Sequence, residues 1–413
     1  MIEVYSWGYG GGLVIHNNNG LLQKIELKIP DRIKQISIGS SRTLILTSNY
    51  DVYYLHHQKI EKMEVEKIEK MEVGEKIIKV GASFEHCLCI SETGKAYSMG
   101  TNTYKQLGHT KVNSGKFELI KFFIEKNIKI RDFAIGCYQS YFITSDNDLY
   151  ACGYNTDGQI GIFNEPKGID TPRYITNNIS NVYSGDYAFH FFYQTLDGDI
   201  FCSGRNGSGQ LGIGNKNQIN QVQQLFGFEN KKIIDIQCGY TQTIIVTEEN
   251  GVNLVYASGD FSNYLGFSVN YNTKFKLVDF LPKTKILSIS TGSRITGILT
   301  DEPKLYIISY FSKKSPEMEI EDNDNNSNLK ANLSSFKIQC GDERAIIFQQ
   351  KMSIIQLDLR KFLKRKEFTD ISLKTNQGFI QAHKIWIETR IDNKLESLLD
   401  CLKITTIKKL KHF

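Results

Sequence analysis

The sequence predicts an all-β fold: a seven-bladed β-propeller closed by its N-terminal strand, with a small α/β module at the C-terminus. Three observations support this prediction. A strand motif recurs about every fifty residues, each copy continues into further strands joined by tight turns, and the first residues of the chain supply a strand that the last copy lacks. Sheets that cannot bury both faces alone stack on their neighbours, and a closed ring removes long exposed edges.

The recurring motif is an apolar strand that ends in a small residue and glycine. The glycine stands at positions 39, 136, 185, 239, 292 and 341, and Ser83 takes its place in the second copy. Consecutive anchors in this series are therefore 44 to 54 residues apart. Examples of the motif are Ile36-Ser37-Ile38-Gly39, Phe133-Ala134-Ile135-Gly136 and Ile236-Gln237-Cys238-Gly239.

A second and a third strand follow most anchors. Turns rich in Asp, Asn and Gly, which tolerate positive φ, connect the two strands. The third strand usually ends in glycine, as in Leu149-Tyr150-Ala151-Cys152-Gly153. The seventh copy has no third strand, whereas Val4-Tyr5-Ser6-Trp7-Gly8 is such a strand without predecessors. We therefore expect residues 1–350 to form one ring closed by the N-terminal strand.

Two segments interrupt the repeats. Residues 59–74 contain the tandem duplication KIEKMEVE and KIEKMEVG, which fits neither a helix stripe nor strand alternation, and we expect a projecting loop or hairpin. Residues 312–331 are acidic, rich in Asn and poor in apolar side chains, a composition typical of mobile segments.

The pattern changes after position 350. Residues 351–367 suit a linker helix, and residues 368–413 read as a strand, a turn, a second strand and the onset of a helix. Residues 403–412 form a basic end segment, expected to be solvated, with contact to acidic partners as the alternative.

Composition and charge limit the functional class. The 413 residues are 40% hydrophobic and 23% charged, without an apolar run of about eighteen residues, so no membrane span is expected. The N-terminus does not read as a secretion signal, and we expect a cytoplasmic or nuclear protein with reduced cysteines. After position 350 there are 14 Lys and Arg against 7 Asp and Glu, leaving −2 of the total +5 for residues 1–350. This balance argues against nucleic acid as main partner.

No pattern predicts an enzyme, a metal site or a cofactor. The cysteines of the repeat region lie on or beside repeat strands, which favours packing over metal or redox chemistry. His86 occupies a repeat position, and a hydrogen-bonded structural role is favoured over catalysis. Gly8-Tyr9-Gly10-Gly11-Gly12 resembles a phosphate loop superficially, but Leu13 stands where that motif needs its last glycine.

The loops after three third strands carry a further shared pattern. They read Asn102-Thr103-Tyr104-Lys105-Gln106-Leu107-Gly108, Asn155-Thr156-Asp157-Gly158-Gln159-Ile160-Gly161 and Asn206-Gly207-Ser208-Gly209-Gln210-Leu211-Gly212. With the strands around them, these loops resemble the repeat of the regulator of chromosome condensation family over residues 1 to about 350. The histidine that the family places after the anchor is matched only by His86, with Arg42, Gln139, Ala188, Gln242, Ile295 and Arg344 in the other copies.

The C-terminal module resembles the opening of a BTB domain. That domain begins its first strand with an Asp-hydrophobic pair and ends its second with Ala-His-Lys at a helix, a pattern that Asp370, Ala382, His383 and Lys384 match. Only 46 residues follow Glu367, so we expect a partial module that does not dimerise and a monomeric chain. His383 is expected to be structural.

These resemblances imply a non-enzymatic protein-protein interaction scaffold. A relative with a BTB domain would act as a substrate adaptor of a cullin-type ubiquitin ligase, which makes a component of that ligase one expected partner. The alternative is a guanine-nucleotide exchange factor for a Ran-like small GTPase, the function of the founding propeller of the family. A regulator at a lipid surface has only the basic end segment in its favour.

The best candidate for the partner-binding surface is formed by the loops after the third strands, because strand interiors serve packing. Within these loops we single out Lys105, His109, Asp157 and Arg205, whose side chains change from blade to blade at equivalent positions, as expected if packing does not dictate them. The glycines of the same loops are expected to serve the fold.

Overall fold

The structure is a computed structural model, and its chain divides into two compact units, Met1–Gln350 and Lys351–Phe413. It describes residues 4–8, 23–25, 27, 29, 31–40, 42–56, 68–163, 168–260, 271–279, 281, 283–293, 295–301, 304–309, 317–318, 336–341, 344–349, 371–375, 378–382 and 404–408.

The first unit is built from four-stranded antiparallel sheets. In chain order its strands are β1 (Val4–Gly8), β2 (Gln23–Ile25), β3 (Ile33–Ile38), β4 (Arg42–Thr47), β5 (Val52–His56), β6 (Ile68–Met71), β7 (Ile77–Ala82), β8 (His86–Ser91), β9 (Ala96–Thr101), β10 (Asn113–Leu119), β11 (Ile130–Ile135), β12 (Gln139–Thr144), β13 (Leu149–Tyr154), β14 (Gly168–Thr176), β15 (Ile179–Tyr183), β16 (His190–Thr195), β17 (Ile200–Gly204), β18 (Ile219–Leu225), β19 (Lys232–Cys238), β20 (Gln242–Glu249), β21 (Val252–Asp260), β22 (Tyr271–Leu277), β23 (Ile286–Thr291), β24 (Ile295–Thr300), β25 (Leu305–Ser309), β26 (Glu317–Met318), β27 (Phe336–Cys340) and β28 (Arg344–Gln349).

Six of the sheets consist of four consecutive strands, from β3–β6 (blade 1) to β23–β26 (blade 6). The seventh sheet, blade 7, joins both ends of the unit in the order β2-β1-β28-β27. The first strand of each blade contacts the first strand of the next, and β27 contacts β3. The sheets therefore form the closed ring of a β-propeller, with first strands innermost.

The N-terminal strand takes the place of the third strand of blade 7, as predicted. β1 pairs with β28 from Val4 opposite Phe348 to Gly8 opposite Arg344. Apolar packing completes the closure, because Ile346 and Phe348 of blade 7 pack with the buried side chains of Ile33 and Ile36 in blade 1.

The anchor glycines bring neighbouring blades together at the inner ring. A Cβ atom added at Gly39 would lie 2.2 Å from the carbonyl oxygen of Ser83, and one at Gly185 would lie 2.0 Å from that of Cys238. Polar side chains connect the same strands: Gln35 exchanges hydrogen bonds with both the carbonyl and the N–H of Val80. Glycine recurs at the anchors because the backbone of the next blade occupies the space that a side chain would need.

The structure corrects one assignment at the histidine position of the repeat, that of Ala188. His86 lies opposite Gly100 in β8 and β9, and His190, not Ala188, lies opposite Gly204 in blade 4. The error arose because the blade 4 connection is two residues longer than that of blade 3. Both imidazoles are fully buried, and each Nε2 reaches the next blade: His86 lies 3.0 Å from Oγ of Ser140, and His190 lies 2.7 Å from Oγ1 of Thr243.

Acid is expected to destabilise the propeller through these two histidines. Burial lowers the pKa of both imidazoles to about 3, so protons bind to the unfolded chain first. The stabilisation is complete above pH 6.5 and is lost as the pH falls toward 3, by about 2 kcal/mol for each imidazole between pH 6.5 and 5. Urea unfolding between pH 7 and 5 measures it.

The matched variant is His86→Gln with His190→Gln, because Gln139 and Gln242 begin the second strands of blades 3 and 5. Its free energy of unfolding should depend less steeply on pH than that of the parent. Equal slopes for the two proteins would show that these histidines do not cause the acid sensitivity.

The seven described cysteines are buried free thiols. Burial raises the pKa of Cys87 to about 12, so this thiol stays protonated and unreactive. No group of three or more His, Cys, Asp or Glu side chains that could hold a metal ion occurs among the residues that the structure describes.

The fourth strands were missed in the sequence, and one correction follows from them. Residues 59–74 were predicted to project as a loop or hairpin, but Ile68–Met71 within them forms β6 and pairs with β5. In the acidic segment 312–331, Glu317–Met318 forms β26 against β25, and its other residues lie outside the described part of the chain. Fourth strands are half-exposed edges, so they lack the apolar pattern that identified the inner strands.

The second unit contains a three-stranded antiparallel sheet in the order β30-β29-β31, formed by β29 (Ile371–Thr375), β30 (Gly378–Ala382) and β31 (Ile404–Lys408). The predicted strand, turn and strand correspond to β29 and β30. Within the basic end segment 403–412, Ile404–Lys408 form β31 and pair with β29, and the expected solvation of the segment stays a prediction. Ala382 ends β30, while Asp370, His383, Lys384 and the predicted linker helix at 351–367 lie outside the described residues.

A short helix of five residues, α1 (Lys121–Glu125), lies between β10 and β11. No described helix is both long and apolar enough to cross a membrane.

Candidate functional site

The shared loop pattern after β9, β13 and β17 holds each loop in place through side-chain hydrogen bonds to its own backbone. In each loop the Asn side chain accepts the N–H of the residue five positions later at 2.9 Å, as in Asn102 with Leu107. The Gln side chain accepts the N–H two residues before it, as Gln159 does from Asp157. The loop then reaches the next blade, where the carbonyl of Gln106 accepts a hydrogen bond from Ser140. Asn, Gln and the apolar residue are therefore required by the fold.

The four residues singled out from the sequence lie in these loops but at different loop positions. Lys105 corresponds to Gly158 and Gly209, and Asp157 corresponds to Tyr104. Arg205 follows its third strand directly and His109 follows the last glycine of its loop. Each of these positions carries a different side chain in the other loops, as the sequence analysis states, and their role in partner binding stays a prediction.

These residues also differ in their surroundings. Lys105 is exposed and adopts φ 70°, the conformation that glycine supplies in the other two loops. His109 is half-buried, and burial lowers the pKa of its imidazole. The Arg205 guanidinium lies 5.3 Å from the ring centroid of Tyr240 and 5.8 Å from that of Phe189. Among the four, Arg205 is thus joined to a larger group of aromatic side chains.

That group, which we call the aromatic face, spans blades 2 to 5. Second strands begin where third strands end, as with Gln139 opposite Gly153, so the connections before and after these points share one side of the propeller. Ring centroids of successive members lie 4.3 to 6.4 Å apart. All members are half-buried or exposed. They are Phe84, Tyr104, Tyr138, Tyr154, Tyr187, Phe189 and Tyr240.

The closest contacts are made around Tyr138. Its ring centroid lies 4.3 Å from that of Tyr104 and 5.8 Å from that of Phe189. Burial raises the pKa of its phenol, which therefore stays protonated and can donate a hydrogen bond. Tyrosine combines a large rigid apolar ring with a polar edge, a combination enriched in protein interfaces.

The aromatic face is not required by the architecture of the blades. The connection between first and second strands carries an aromatic residue in blades 2 to 5, whereas blades 1, 6 and 7 have Ser40-Ser41, Ser293-Arg294 and Asp342-Glu343 there. The same strand pair is thus formed with and without aromatic side chains. Clustered exposed aromatic groups on one half of a face indicate a binding surface.

Sequence reasoning did not find this surface, although the signal was present. Five of the seven aromatic residues stand one to four positions after the anchors at 83, 136, 185 and 239, and Tyr104 and Tyr154 follow the third-strand glycines at 100 and 153. An alignment of the copies on these anchors would have shown the difference between blades 2 to 5 and the others. The four predicted residues lie beside the surface, and of them Arg205 packs on its rings.

Comparison with known proteins gives one family match and several relatives. Residues 197–246 match the family model of the regulator of chromosome condensation (RCC1) repeat. The ultraviolet-B receptor UVR8 of Arabidopsis thaliana is 28% identical over 68% of this chain and 66% of its own length. The probable E3 ubiquitin-protein ligase HERC6 of Homo sapiens is 27% identical over 46% of this chain and 19% of its own length. The chain therefore spans less than two thirds of these relatives.

The fold is shared with a solved structure. Prp20p from Saccharomyces cerevisiae, whose structure is described together with its binding to Gsp1p and histones, superposes with a TM-score of 0.67 at 16% identity. The match covers 87% of this chain and 94% of that structure. The described residues 4–349 thus share the propeller fold of Prp20p.

Proposed function

We propose that the chain is a non-enzymatic interaction scaffold whose propeller binds a partner protein on the aromatic face. The single observation that carries this proposal is the clustering of seven aromatic side chains on blades 2 to 5 within the part of the chain that the structure describes. Aromatic and Arg side chains supply much of the binding energy in protein interfaces, and Arg205 lies among the rings. The protein-interaction roles of RCC1-like propellers support the same class.

Within that class we propose a substrate adaptor of a cullin-type ubiquitin ligase. The propeller would hold the substrate, and the C-terminal unit, with its BTB-like motif at Asp370 and 382–384, would contact the ligase. Partial relatives such as HERC6, a probable ubiquitin ligase by its name, support a connection with ubiquitin transfer. The alternative is guanine-nucleotide exchange on a Ran-like small GTPase, favoured by the fold shared with Prp20p.

The test is affinity capture with the full chain and the variant Tyr104→Ser, Tyr138→Thr, Tyr240→Ser. Ser208, Thr241 and Ser293 stand at the corresponding positions of other blades, so the variant keeps side chains that the fold accepts. Loss of three central aromatic contacts should reduce recovery of a specific partner at least tenfold, because each such contact contributes about 1 to 2 kcal/mol or more. Quantitative mass spectrometry measures the recovery.

Two controls define the site. Tyr174→Ala removes an aromatic side chain that is 49% exposed on β14, outside the aromatic face, and should leave recovery unchanged. The residues predicted from sequence are tested with replacements taken from other blades: Lys105→Gly, His109→Ile, Asp157→Ser and Arg205→Thr. A strong effect of this second set alone would move the site to the rim of the loops.

The identity of the captured protein separates the two functions. Cullin or ubiquitin components would support the adaptor, whereas a small GTPase whose nucleotide release is accelerated by the purified chain would support exchange. Unchanged capture by a folded aromatic-face variant would contradict binding at this surface.

A further inference from the structure

A groove of about 470 Å³ lies between blades 4 and 5, apart from the aromatic face. It is lined by the end of β18 and the segment after it, by two residues of the loop after β17, and by side chains of β21 and β22. Its main lining residues are Phe226, Gly227, Phe228, Tyr256, Lys274 and Phe275.

The propeller itself shows what fills the corresponding position between blades 2 and 3. Ile120 and Leu225 correspond, since each lies opposite the first residue of its third strand, and Phe123 and Phe228 follow three residues later as buried side chains. Both phenylalanines pack on a tyrosine of the next third strand.

The residue between them differs. Phe122 packs on Tyr150, with ring centroids 5.9 Å apart, and covers the junction of blades 2 and 3. Gly227 stands at the corresponding position of blade 4, where the chain has φ 98° instead of the helical conformation of Phe122, and the glycine has no side chain to cover the junction. The groove beside Tyr256 therefore opens where blade 2 provides an aromatic ring.

The groove has a fixed apolar wall and a cationic rim. Phe226 is 68% exposed, and the turn that holds it is fixed by hydrogen bonds of 2.9 and 3.0 Å from the N–H of Gly227 to the carboxylate of Glu229. Lys274 is exposed on the rim, and none of the described lining residues is acidic. Glu249, which lies near Tyr256, is paired with Lys231.

We propose that this groove binds a peptide segment of a partner protein through an aromatic side chain that takes the place of Phe122, with a neighbouring acidic residue paired to Lys274. The aromatic requirement comes from the side chain that fills the equivalent junction in blade 2, and the acidic requirement comes from charge complementarity. The site is independent of the aromatic face, because no residue is shared between them.

The experiment selects ligands for the full chain from a random dodecapeptide library displayed on phage, followed by fluorescence anisotropy with the most enriched peptide. We expect enriched peptides to carry an aromatic residue with Asp or Glu nearby. Lys274→Glu should weaken binding several-fold, and a peptide with Lys in place of its acid should regain binding to that variant.

Matched variants keep the test independent of folding. Phe226→Ala should weaken binding, whereas Phe163→Ala, which removes a ring that is 59% exposed, should not. Lys276→Glu changes the other exposed lysine of β22 that does not line the groove and should have no effect. The aromatic-face variant should bind the peptide like the parent.

The proposal would be overturned if no peptides with an aromatic residue were enriched, or if Phe226→Ala and Lys274→Glu bound the peptide as tightly as the parent does. It would also be overturned if the aromatic-face variant alone lost binding. The last result would place the peptide on the surface of the proposed function instead.

Discussion

Removal of residues 1–8 is expected to lower the melting temperature of the propeller by more than about 10 °C or to prevent folding. The deletion takes β1 from the middle of blade 7, so β28 loses a hydrogen-bonded partner from Arg344 to Phe348 and β2 loses the strand that it pairs with. The loss should reach several kcal/mol, on the order of the whole stability margin of a domain, and each kcal/mol is about 2 to 4 °C.

The physical reason extends beyond one sheet. Ile346, Ile347 and Phe348 are buried, and Ile346 and Phe348 form the apolar contact with blade 1. Without β1, blade 7 has two paired strands left and the ring opens at this junction. Calorimetry and urea unfolding of the variant that lacks only residues 1–8 measure the effect.

A circular permutant provides the control. Val4 lies opposite Phe348 in an antiparallel pair, so a short turn can join Gln349 to Val4 when the new chain begins at Asp31. Residues 351–413 then follow residue 30, so Leu27 and Ile29, which pack on the apolar contact between blades 7 and 1, stay in the chain. This permutant restores β1 in the same place and should recover most of the lost stability. A deletion variant that melts cooperatively at the parent temperature would show that closure by β1 is not needed.

The inner part of the fold could be predicted from the sequence because its causes are local. The anchors at Gly39 and Gly185 leave a glycine signature, since the next blade occupies the space of a side chain. The third strands end in glycine at positive φ, as at Gly153 with φ 113°. These requirements recur in most copies and therefore give a period.

The outer and functional parts could not be predicted in the same way. β6 and β26 are edge strands whose pairing depends on the neighbouring strand. Their short sequences contain charged residues and do not by themselves indicate a strand. The aromatic face depends on side chains about 50 residues apart that meet only when the blades stack, such as Phe84 and Tyr138. Each aromatic residue is visible in the sequence of its own repeat, but the contacts between them form only in the closed ring.

The register of the loops shows which of their positions can vary. Lys105 replaces a glycine at positive φ, whereas Asp157 takes the place of Tyr104. The side chains of Asn102 and Gln159 hold the loops through backbone hydrogen bonds, and these bonds define which positions correspond. Only the free positions between them can vary for binding.

Gly153→Ala is expected to destabilise the propeller by about 3 to 4 kcal/mol. An added Cβ atom at this end of β13 would lie 2.1 Å from the carbonyl oxygen of Tyr138 and 2.9 Å from Cα of Gln139. The positive φ adds a backbone penalty of about 1 kcal/mol or more. Backbone atoms cannot move away as a flexible side chain can, so β12 and β13 must separate.

Gly198→Ala is the matched substitution, because Gly198 has φ 96° but no atom within 4 Å of an added Cβ. It should cost only the backbone penalty of about 1 kcal/mol. Urea unfolding of both variants separates the two contributions, and equal losses would mean that the close approach to Tyr138 does not limit the fold.

The same approach positions the aromatic face: the N–H of Tyr154 donates to the carbonyl of Tyr138 at 2.9 Å, and their rings lie 6.3 Å apart. A Gly153→Ala protein that still folds at low temperature should therefore also bind its partner more weakly, whereas Gly198→Ala should bind it normally.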